Sequence, residues 1–398
     1  MDLDKFQHSP TGRLVKTPRD YWAFVPHPLP PRLSYDSPLV ALLSEADRAL
    51  SRLAGVGERL PNPDLLVMPY MRREAVLSSK IEGTQASVSD LLFFEAGQKE
   101  ASRRPDVREV HNYVLAMNHG LLRLSDLPLS LRLVSEMHET LMAGVRGGQS
   151  TPGEFRRTQN WIGPPGCNLH ECTYVPPPPE EMSAALTAWE GYLNQRDATP
   201  PLVKCALIHY QFEAIHPFLD GNGRVGRLLI PLFLCAEGHL PQPLLYLSAF
   251  FERHRADYYR YLLAVSQEGN WLEWIAFFLR GVARQAGDAL ERSRRILELR
   301  DTWRASLQER RVSSVALGLL DHLFKYPVIS VNQAASALQV SYPTARTALS
   351  RLEEAGIVQP FAPNQRWRRL FWAKELFDIA GGGEGEGLPG GSGAAIKP

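Results

Sequence analysis

The sequence has few cysteines, no surplus of either charge and no long apolar run, and each shortage excludes a class of protein. Only four cysteines occur in 398 residues, too few for a disulfide framework, so a reduced, cytoplasmic compartment is expected. No stretch approaches the roughly 18 successive apolar residues of a membrane span, and the polar N-terminus is unlike a secretory signal. Lysine and arginine number 44 against 43 aspartates and glutamates, so no general attraction to polyanions follows.

Helical patterns fill most of the sequence. Hydrophobic residues make up 44% of the chain and charged residues 22%, as in ordinary globular proteins. Apolar residues recur at helical spacing from residue 40 onwards, which predicts a mainly α fold. The predicted domains are an N-terminal arm with helices (1–105), a main helical domain (106–300), a smaller C-terminal domain (301–380) and a glycine-rich, disordered tail (381–398).

Two stretches interrupt the helical pattern. The first forty residues are rich in proline and aromatic residues, which predicts an extended arm packed over the body of the protein. In the centre, residues 153–163 and 173–176 form two short aromatic and β-branched runs around a loop. This arrangement predicts a small β-hairpin, and the prolines from Pro176 to Pro179 end its second run.

One segment between two apolar helices carries more polar chemistry than a connecting loop needs. Gly221 and Gly223 allow the backbone to turn tightly, so that N–H groups converge on an anion. A helix begins near Arg224, and a helix N-terminus attracts negative charge. Arg224 and Arg227 are three residues apart, hence on one helix face, and both reach the same anion. The spacing therefore indicates a phosphate-binding loop.

Two further side chains extend the chemistry of this loop. Asp220 offers a hard oxygen ligand for Mg²⁺, whose other usual ligands are phosphate oxygens. His216, at the loop entrance, is the one side chain here that accepts a proton near neutral pH. Together these residue types indicate the handling of a nucleotide phosphate next to a general base.

The complete segment resembles the Fic family signature HPFx[DE]GNGRxxR at every specified position. The resemblance extends over roughly residues 2–280 and implies a Fic-type helical bundle with a small β-hairpin flap. It also implies an enzyme that transfers AMP from ATP to a Ser, Thr or Tyr hydroxyl of a target protein, itself included. The matching residues run His216-Pro217-Phe218-Leu219-Asp220-Gly221-Asn222-Gly223-Arg224-Val225-Gly226-Arg227.

The resemblance assigns a role to each part of the signature. His216 is implied as the base that deprotonates the target hydroxyl, and Asp220 as the Mg²⁺ ligand. Arg227 resembles the residue that meets the γ-phosphate. The implied cradle for the nucleotide phosphates consists of Gly221, Asn222, Gly223, Arg224, Val225 and Gly226.

Residues outside the signature also have counterparts in the family. The predicted hairpin resembles the flap that aligns the target backbone, and Thr173 and Tyr174 are expected to border the nucleotide. Tyr258 is expected to contact adenine, with Tyr259 turned to the core. The structural alternatives are a plain hairpin edge for the first two positions and a core tyrosine for Tyr258.

A short helix end resembles the family's inhibitory motif [ST]xxxE[GN]. It runs from Ser78 to Gly83 and places Glu82 before a glycine that ends the helix. The resemblance implies that Glu82 forms a bidentate ion pair with Arg227 in the place of the γ-phosphate. An ordinary helix C-cap is the alternative. In some relatives the same glutamate orients water for removal of AMP, and the sequence leaves both directions open.

The C-terminal domain has the element order of a winged helix-turn-helix. Ser341 is the expected N-cap of its second helix, and Arg366, Arg368 and Arg369 fall in the predicted wing. Basic residues there fit phosphate contact, although such domains also bind proteins or form homodimers. The alternative function is therefore a DNA-binding regulator whose helical body senses a nucleotide.

Overall fold

The computed structural model describes residues 1–59, 62–97, 104–145, 151–164, 166–361 and 370–382, and helices dominate this part of the chain. The predicted mainly α fold is confirmed. The helices are α1 (Leu3–Gln7), α2 (Ser37–Arg59), α3 (Asp64–Ile81), α4 (Val88–Glu95), α5 (Pro105–Arg123), α6 (Leu131–Met142), α7 (Pro179–Asn194), α8 (Pro201–Ile215), α9 (Asn222–Ala236), α10 (Ser248–Arg253), α11 (Arg255–Glu268), α12 (Trp271–Glu309), α13 (Ser314–Lys325), α14 (Val331–Leu338), α15 (Tyr342–Glu354) and α16 (Lys374–Phe377).

Within the described ranges, two small antiparallel sheets accompany the helices. The first pairs β1 with β2, and the second has the strand order β3-β5-β4. Neither sheet is large enough to form a core of its own, so each packs against helices. The strands are β1 (Gly12–Lys16), β2 (Trp22–Pro26), β3 (Val328–Ser330), β4 (Gln359–Phe361) and β5 (Leu370–Trp372).

Helices α8 and α9 form the buried centre of the body. Nearly every residue of α8 is buried, and α9 is buried on most sides, as expected for helices that are apolar around their circumference. They pack against each other, and α8 also contacts α7 and α12. The loop that connects α8 to α9 is therefore held by two rigid, buried elements.

The N-terminal arm differs from the predicted extended segment. It contains the β1–β2 hairpin, in which Gly12 pairs with Pro26 and Lys16 with Trp22. The prolines that suggested an extended arm lie at the end of β2 and beyond it, where they interrupt no strand hydrogen bond. The Phe24 N–H also donates to the Val175 carbonyl at 2.9 Å, which ties the arm to the centre of the chain.

The predicted hairpin over residues 153–163 and 173–176 is reduced to a single antiparallel bridge between Ile162 and Tyr174. The backbone before this bridge makes other contacts. For example, the Arg156 N–H donates to the Pro217 carbonyl at 2.9 Å. The first run therefore pairs with the loop after α8 instead of forming a regular strand, which corrects the expectation of two strands.

The boundary predicted at residues 300/301 falls inside a helix. Helix α12 continues without a break from Trp271 to Glu309, and the chain turns at residues 310–313, where Arg311 has a φ of 52°. The arginine- and glutamate-rich residues near this boundary belong to the exposed face of the helix and to the turn that follows it.

The C-terminal elements pack against the helix that precedes Glu82. Arg72 of α3 is 1% exposed, and its Nη1 donates to the Lys325 carbonyl at 2.7 Å. Its guanidinium also pairs with Glu95 at 2.8 Å, and Lys325 Nζ pairs with Asp64 at 2.6 Å. Helix α3 is thus fixed at several points along its length. Across the described ranges, no helix combines the length and apolarity needed to cross a membrane.

Candidate active site

The loop from His216 to Gly221 turns the chain between α8 and α9 through two left-handed residues. His216 has φ 50° and ψ 60°, and Gly221 has φ 81°. A glycine suits the second position because a side chain is strained at such a φ and a Cβ there would lie 3.0 Å from Met142 Sδ.

Asn222 fixes the shape of this loop from inside. Its Oδ1 accepts from the Phe218 N–H and its Nδ2 donates to the Phe218 carbonyl, both at 2.8 Å, and the residue is 2% exposed. The first turn of α9 starts above it, with the Val225 N–H bonded to the Gly221 carbonyl at 3.0 Å. The N–H groups of the residues before Val225 have no helical acceptor, so the turn presents donors to an anion.

Two donor atoms of Arg224 make no hydrogen bond within the part of the chain that the structure describes. Arg224 is 4% exposed, and its Nε and Nη1 form no hydrogen bond. Nη2 lies 3.3 Å from Asp220 Oδ1, and Nη1 lies 3.6 Å from Glu109 Oε2. Buried cationic donors without an acceptor are costly, so these atoms fit an anionic ligand.

Asp220 carries a carboxylate at the entrance of this cradle. Its side chain is 47% exposed, and Oδ1 accepts from the Gly221 N–H at 2.6 Å. No group of three or more His, Cys, Asp or Glu side chains suited to a metal occurs within the described residues. A single accessible carboxylate matches Mg²⁺, which needs few protein ligands when phosphates supply the others.

His216 is oriented by its own helix. Its Nδ1 lies 3.3 Å from the carbonyl oxygen of Glu213, so Nδ1–H donates there and Nε2 keeps its lone pair. Burial, together with the charge of Arg156, lowers the pKa of His216 to about 4. The imidazole is therefore neutral near pH 7, the state that a general base requires.

Arg227 and Glu82 meet as expected, but through one oxygen. Arg227 Nη2 lies 2.6 Å from Glu82 Oε1, whereas Nε donates to Ser78 Oγ at 2.8 Å and Nη2 also to the Ser78 carbonyl at 3.0 Å. The expected bidentate pair is corrected, because Ser78 takes up the donors that a second carboxylate oxygen would need. Burial raises the pKa of Glu82, but the attraction of Arg227 outweighs it and the pKa is lowered.

Glycines make room for the contact between Glu82 and Arg227. A Cβ on Gly223 would overlap Glu82 Oε1 and lie 2.9 Å from Arg227 Nη1. Gly83, with φ 96°, lets the chain leave α3 directly after Glu82.

Gly226 leaves space for a different carboxylate. A Cβ on Gly226 would overlap Glu213 Oε1, a buried carboxylate oxygen without a hydrogen bond.

The residues predicted to contact adenine and to border the nucleotide lie in surroundings that differ from the expected ones. Tyr258 is 1% exposed and shares a 2.8 Å hydrogen bond with His209 Nε2, whereas Tyr259 is 41% exposed. The two tyrosines therefore face opposite to expectation, because the polar acceptor for the Tyr258 hydroxyl lies in the core. Tyr174 is also a core residue, with its hydroxyl donating to the Ala214 carbonyl at 2.9 Å, while Thr173 is exposed.

Two side chains that the sequence did not suggest also support the loop. His138 of α6 accepts from the Gly153 N–H and lies 3.0 Å from the Asp220 carbonyl, with its ring stacked on Phe218 at 3.7 Å. Arg156 donates to the His216 carbonyl at 3.0 Å. Both bind backbone carbonyls across long sequence separations, and no local pattern marks such a contact.

Comparisons with known proteins match this organisation. Residues 40–122 fit the family model described as Fic/DOC family N-terminal, and residues 128–234 fit the one described as Fic/DOC family. A protein adenylyltransferase Fic of Culex quinquefasciatus is 31% identical over 176 residues, covering 42% of this chain and 31% of the relative. The Drosophila grimshawi protein of that name is 30% identical over 174 residues, covering 42% of this chain and 32% of that protein.

A solved structure shares the fold. The Fic family protein from Desulfovibrio desulfuricans G20 aligns with a TM-score of 0.52 and 20% identity, covering 86% of this chain and 98% of that one. The fold and loop define a mainly helical protein with a glycine-containing turn at a helix N-terminus. The chain therefore matches two models of the Fic/DOC family, one after the other along the sequence. It spans about a third of the length of the curated relatives it matches.

Proposed function

We propose that the protein is an adenylyltransferase that transfers AMP from ATP to Ser, Thr or Tyr hydroxyls of target proteins, itself included. The observation that carries the proposal is the buried Arg224, whose Nε and Nη1 form no hydrogen bond within the described residues, in the first turn of the helix that follows the loop of the neutral His216. The curated relatives named protein adenylyltransferase Fic support ATP as the nucleotide and AMP as the transferred group.

In the proposed reaction, His216 acts as the base. Because its Nδ1–H donates to the Glu213 carbonyl, Nε2 accepts the proton of the incoming hydroxyl. The hydroxyl oxygen then bonds to the α-phosphorus, and the bond from that phosphorus to the bridging oxygen breaks, so that pyrophosphate leaves. The product is a phosphodiester between AMP and the target side chain, and His216 later releases its proton to solvent.

The cradle binds the nucleotide in this proposal. Asn222 holds the loop open, the N–H groups at the start of α9 face the phosphates, and Arg224 neutralises them. The accessible carboxylate of Asp220 would hold Mg²⁺, which when bound neutralises charge on the phosphate oxygens. Val225 and Gly226 contribute backbone alone, and Arg227 takes the γ-phosphate once Glu82 has withdrawn.

Glu82 is the proposed brake. Its contact with Arg227 fills the position that the γ-phosphate needs, and Ser78 keeps the guanidinium pointed at it. A nucleotide therefore binds in a productive position only after Glu82 leaves. The second possible use of Glu82, orienting a water molecule for AMP removal, needs the same residue at the same place.

The C-terminal elements support a winged helix-turn-helix. Helices α13 to α15 pack together next to a sheet with strand order β3-β5-β4, and the Ser341 hydroxyl accepts from the Thr344 N–H at the start of α15. Thr344, Arg346, Thr347 and Arg351 are exposed on that helix. The predicted wing residues Arg366, Arg368 and Arg369 and the tail after residue 382 lie outside the described residues.

DNA binding through this domain and a homodimer remain predictions. A regulator that senses a nucleotide and binds DNA would show a gel shift that weakens as salt rises. A cytoplasmic setting would supply the ATP that the proposed reaction consumes.

Labelled nucleotides test the proposed function. Wild type, Glu82→Gly and Glu82→Gly with His216→Ala are incubated with ATP labelled at the α- or the γ-phosphate. The proposal expects the α label alone to enter protein, most strongly with Glu82→Gly, and to be lost when His216 is replaced. Incorporation of the γ label would indicate phosphoryl transfer instead.

A further inference from the structure

We propose that Arg156 is a positioning residue for His216, which fixes the histidine backbone and thereby aims the imidazole at the phosphate loop. The proposal rests on the role of His216 as base given above. Arg156 lies in the run that was predicted to form a hairpin strand, and it is 2% exposed.

The guanidinium of Arg156 binds backbone carbonyls from three segments of the chain. Its Nε donates to His216 at 3.0 Å and its Nη2 to Ile215 at 3.4 Å. Nη2 also donates to Pro177 at 2.5 Å, and Nη1 to Thr158 at 3.3 Å. One side chain therefore joins the end of α8 to both sides of the segment that carries the Ile162–Tyr174 bridge.

His216 needs such a partner because of its backbone. The left-handed conformation of His216, with φ 50°, is disfavoured for a residue other than glycine, and here it ends α8. The carbonyls of Ile215 and His216 then have no helical N–H to bind, and Arg156 supplies the donors. Asn160 adds a second donor, from Nδ2 to the His216 carbonyl at 3.2 Å.

The charge of Arg156 has an effect separate from its geometry. Burial is the largest cause of the low pKa of His216, and the positive charge of Arg156 is the next. Glu213, Glu82 and Asp220 act in the opposite direction, Glu213 through its carbonyl and the other two through their charge. Arg156 thus favours the neutral imidazole that accepts a proton, in addition to fixing its position.

Two substitutions separate geometry from charge. Arg156→Lys keeps the charge but lacks the planar fork that reaches several carbonyls, whereas Arg156→Gln keeps an amide donor and lacks the charge. Both are made in the Glu82→Gly background, where transfer is measurable. Arg157→Gln is the matched control, because this neighbour is 86% exposed and pairs with the exposed Glu154 at 3.2 Å.

The expected result is a loss in kcat without a matching change in KM for ATP. A misplaced base costs on the order of 10²-fold in kcat, whereas the phosphate cradle on α9 keeps its own contacts. In the pH–rate profile, the acidic limb of Arg156→Gln moves up towards pH 6.5, and that of Arg156→Lys moves less. Unchanged kcat in both variants, or a rise in KM alone, would overturn the proposal.

A measurement that does not depend on enzymatic activity distinguishes a failure of this proposal from a failure of the proposed function. The pKa of His216 is measured from spectra of ¹³C-labelled histidine, with His216→Gln to assign the signal and thermal unfolding to establish that each variant is folded. A higher pKa in Arg156→Gln supports the charge effect of Arg156, and an altered His216 signal in Arg156→Lys supports its positioning role. Both readouts hold even if Glu82→Gly transfers no AMP, a result that would contradict only the proposed function. If Arg156→Gln does not fold, Arg156→Lys is judged by its altered signal for His216, and an unaltered signal would overturn the proposal.

Discussion

The Glu82 carboxylate and the Arg227 guanidinium are joined across two helices by a 2.6 Å contact between Oε1 and Nη2. Arg227 is almost fully buried, and it also donates to the side chain and the carbonyl of Ser78, in the last turn of the helix that ends just before the glutamate. The arginine is therefore held ready for an anion, and the protein's own carboxylate occupies that position. In the proposed mechanism, release of Glu82 is the step that admits a nucleotide.

Glu82→Gly should raise self-modification. We expect an increase of about tenfold, the lower end for a charge-assisted hydrogen bond, because the Glu82 side chain is 35% exposed. The measurement is incorporation of α-labelled ATP. The control is Lys80→Ala, which removes an exposed ion pair to Glu252 at 3.0 Å from the same helix turn. A variant whose labelling equals that of the wild type would contradict the brake.

Asn222→Ala should weaken both the fold and nucleotide binding. The change leaves the Phe218 N–H and carbonyl buried without partners, which costs about 2 to 4 kcal/mol in the free energy of unfolding. Urea titration and calorimetry with ATP measure the two effects. The control Asn194→Ala removes an exposed asparagine that also donates to two carbonyls. Equal losses in both variants would show that the loop has no special dependence on Asn222.

The stability of the protein should fall in acid through His209. Its Nδ1 lies 3.0 Å from the Gly226 carbonyl, and burial lowers its pKa to about 3. The unfolded chain takes up this proton near pH 6.5, so the stabilisation is present above that pH and is lost as the pH falls towards 3.

Between pH 7 and pH 5 this histidine should account for a loss of about 2 kcal/mol in the free energy of unfolding. His209→Gln removes the titrating group, so its urea-unfolding curve should shift less over the same interval than that of the wild type. An equal shift in the two proteins would show that His209 is not the group responsible.

Asp220→Asn should reduce transfer and make it depend on added magnesium. Loss of the charge weakens Mg²⁺ binding by roughly 10- to 100-fold, so the variant should recover part of its rate as Mg²⁺ is raised. Chelation of Mg²⁺ should abolish transfer in both proteins. Asp126→Asn, at another exposed carboxylate, is the control. A variant with the wild-type dependence on Mg²⁺ would argue against Asp220 as the ligand.

The sequence predicted the parts of the site that lie together in the chain. His216 to Arg227 form one contiguous segment, and the helix predicted to begin near Arg224 begins at Asn222. Glu82 was matched to Arg227 from a six-residue motif, although Ser78 prevents the bidentate geometry. Local patterns of this kind need no knowledge of packing.

Prediction from the sequence failed where packing between distant segments determines the position of a side chain. Adjacent tyrosines such as Tyr258 and Tyr259 fit the same helical pattern, and only the position of His209 in the core determines which one is buried. Arg156 and His138 bind carbonyls of the loop from distant segments, and a carbonyl acceptor leaves no residue signature. The three-residue strand β3 is too short to show periodicity.

A crystal structure of Glu82→Gly with a non-transferable ATP analogue tests the central claim most directly. The account predicts the γ-phosphate on Arg227, the other phosphates against the start of α9 and Arg224, and His216 Nε2 facing the α-phosphorus. An empty loop, or an imidazole directed away from a bound triphosphate, would contradict it.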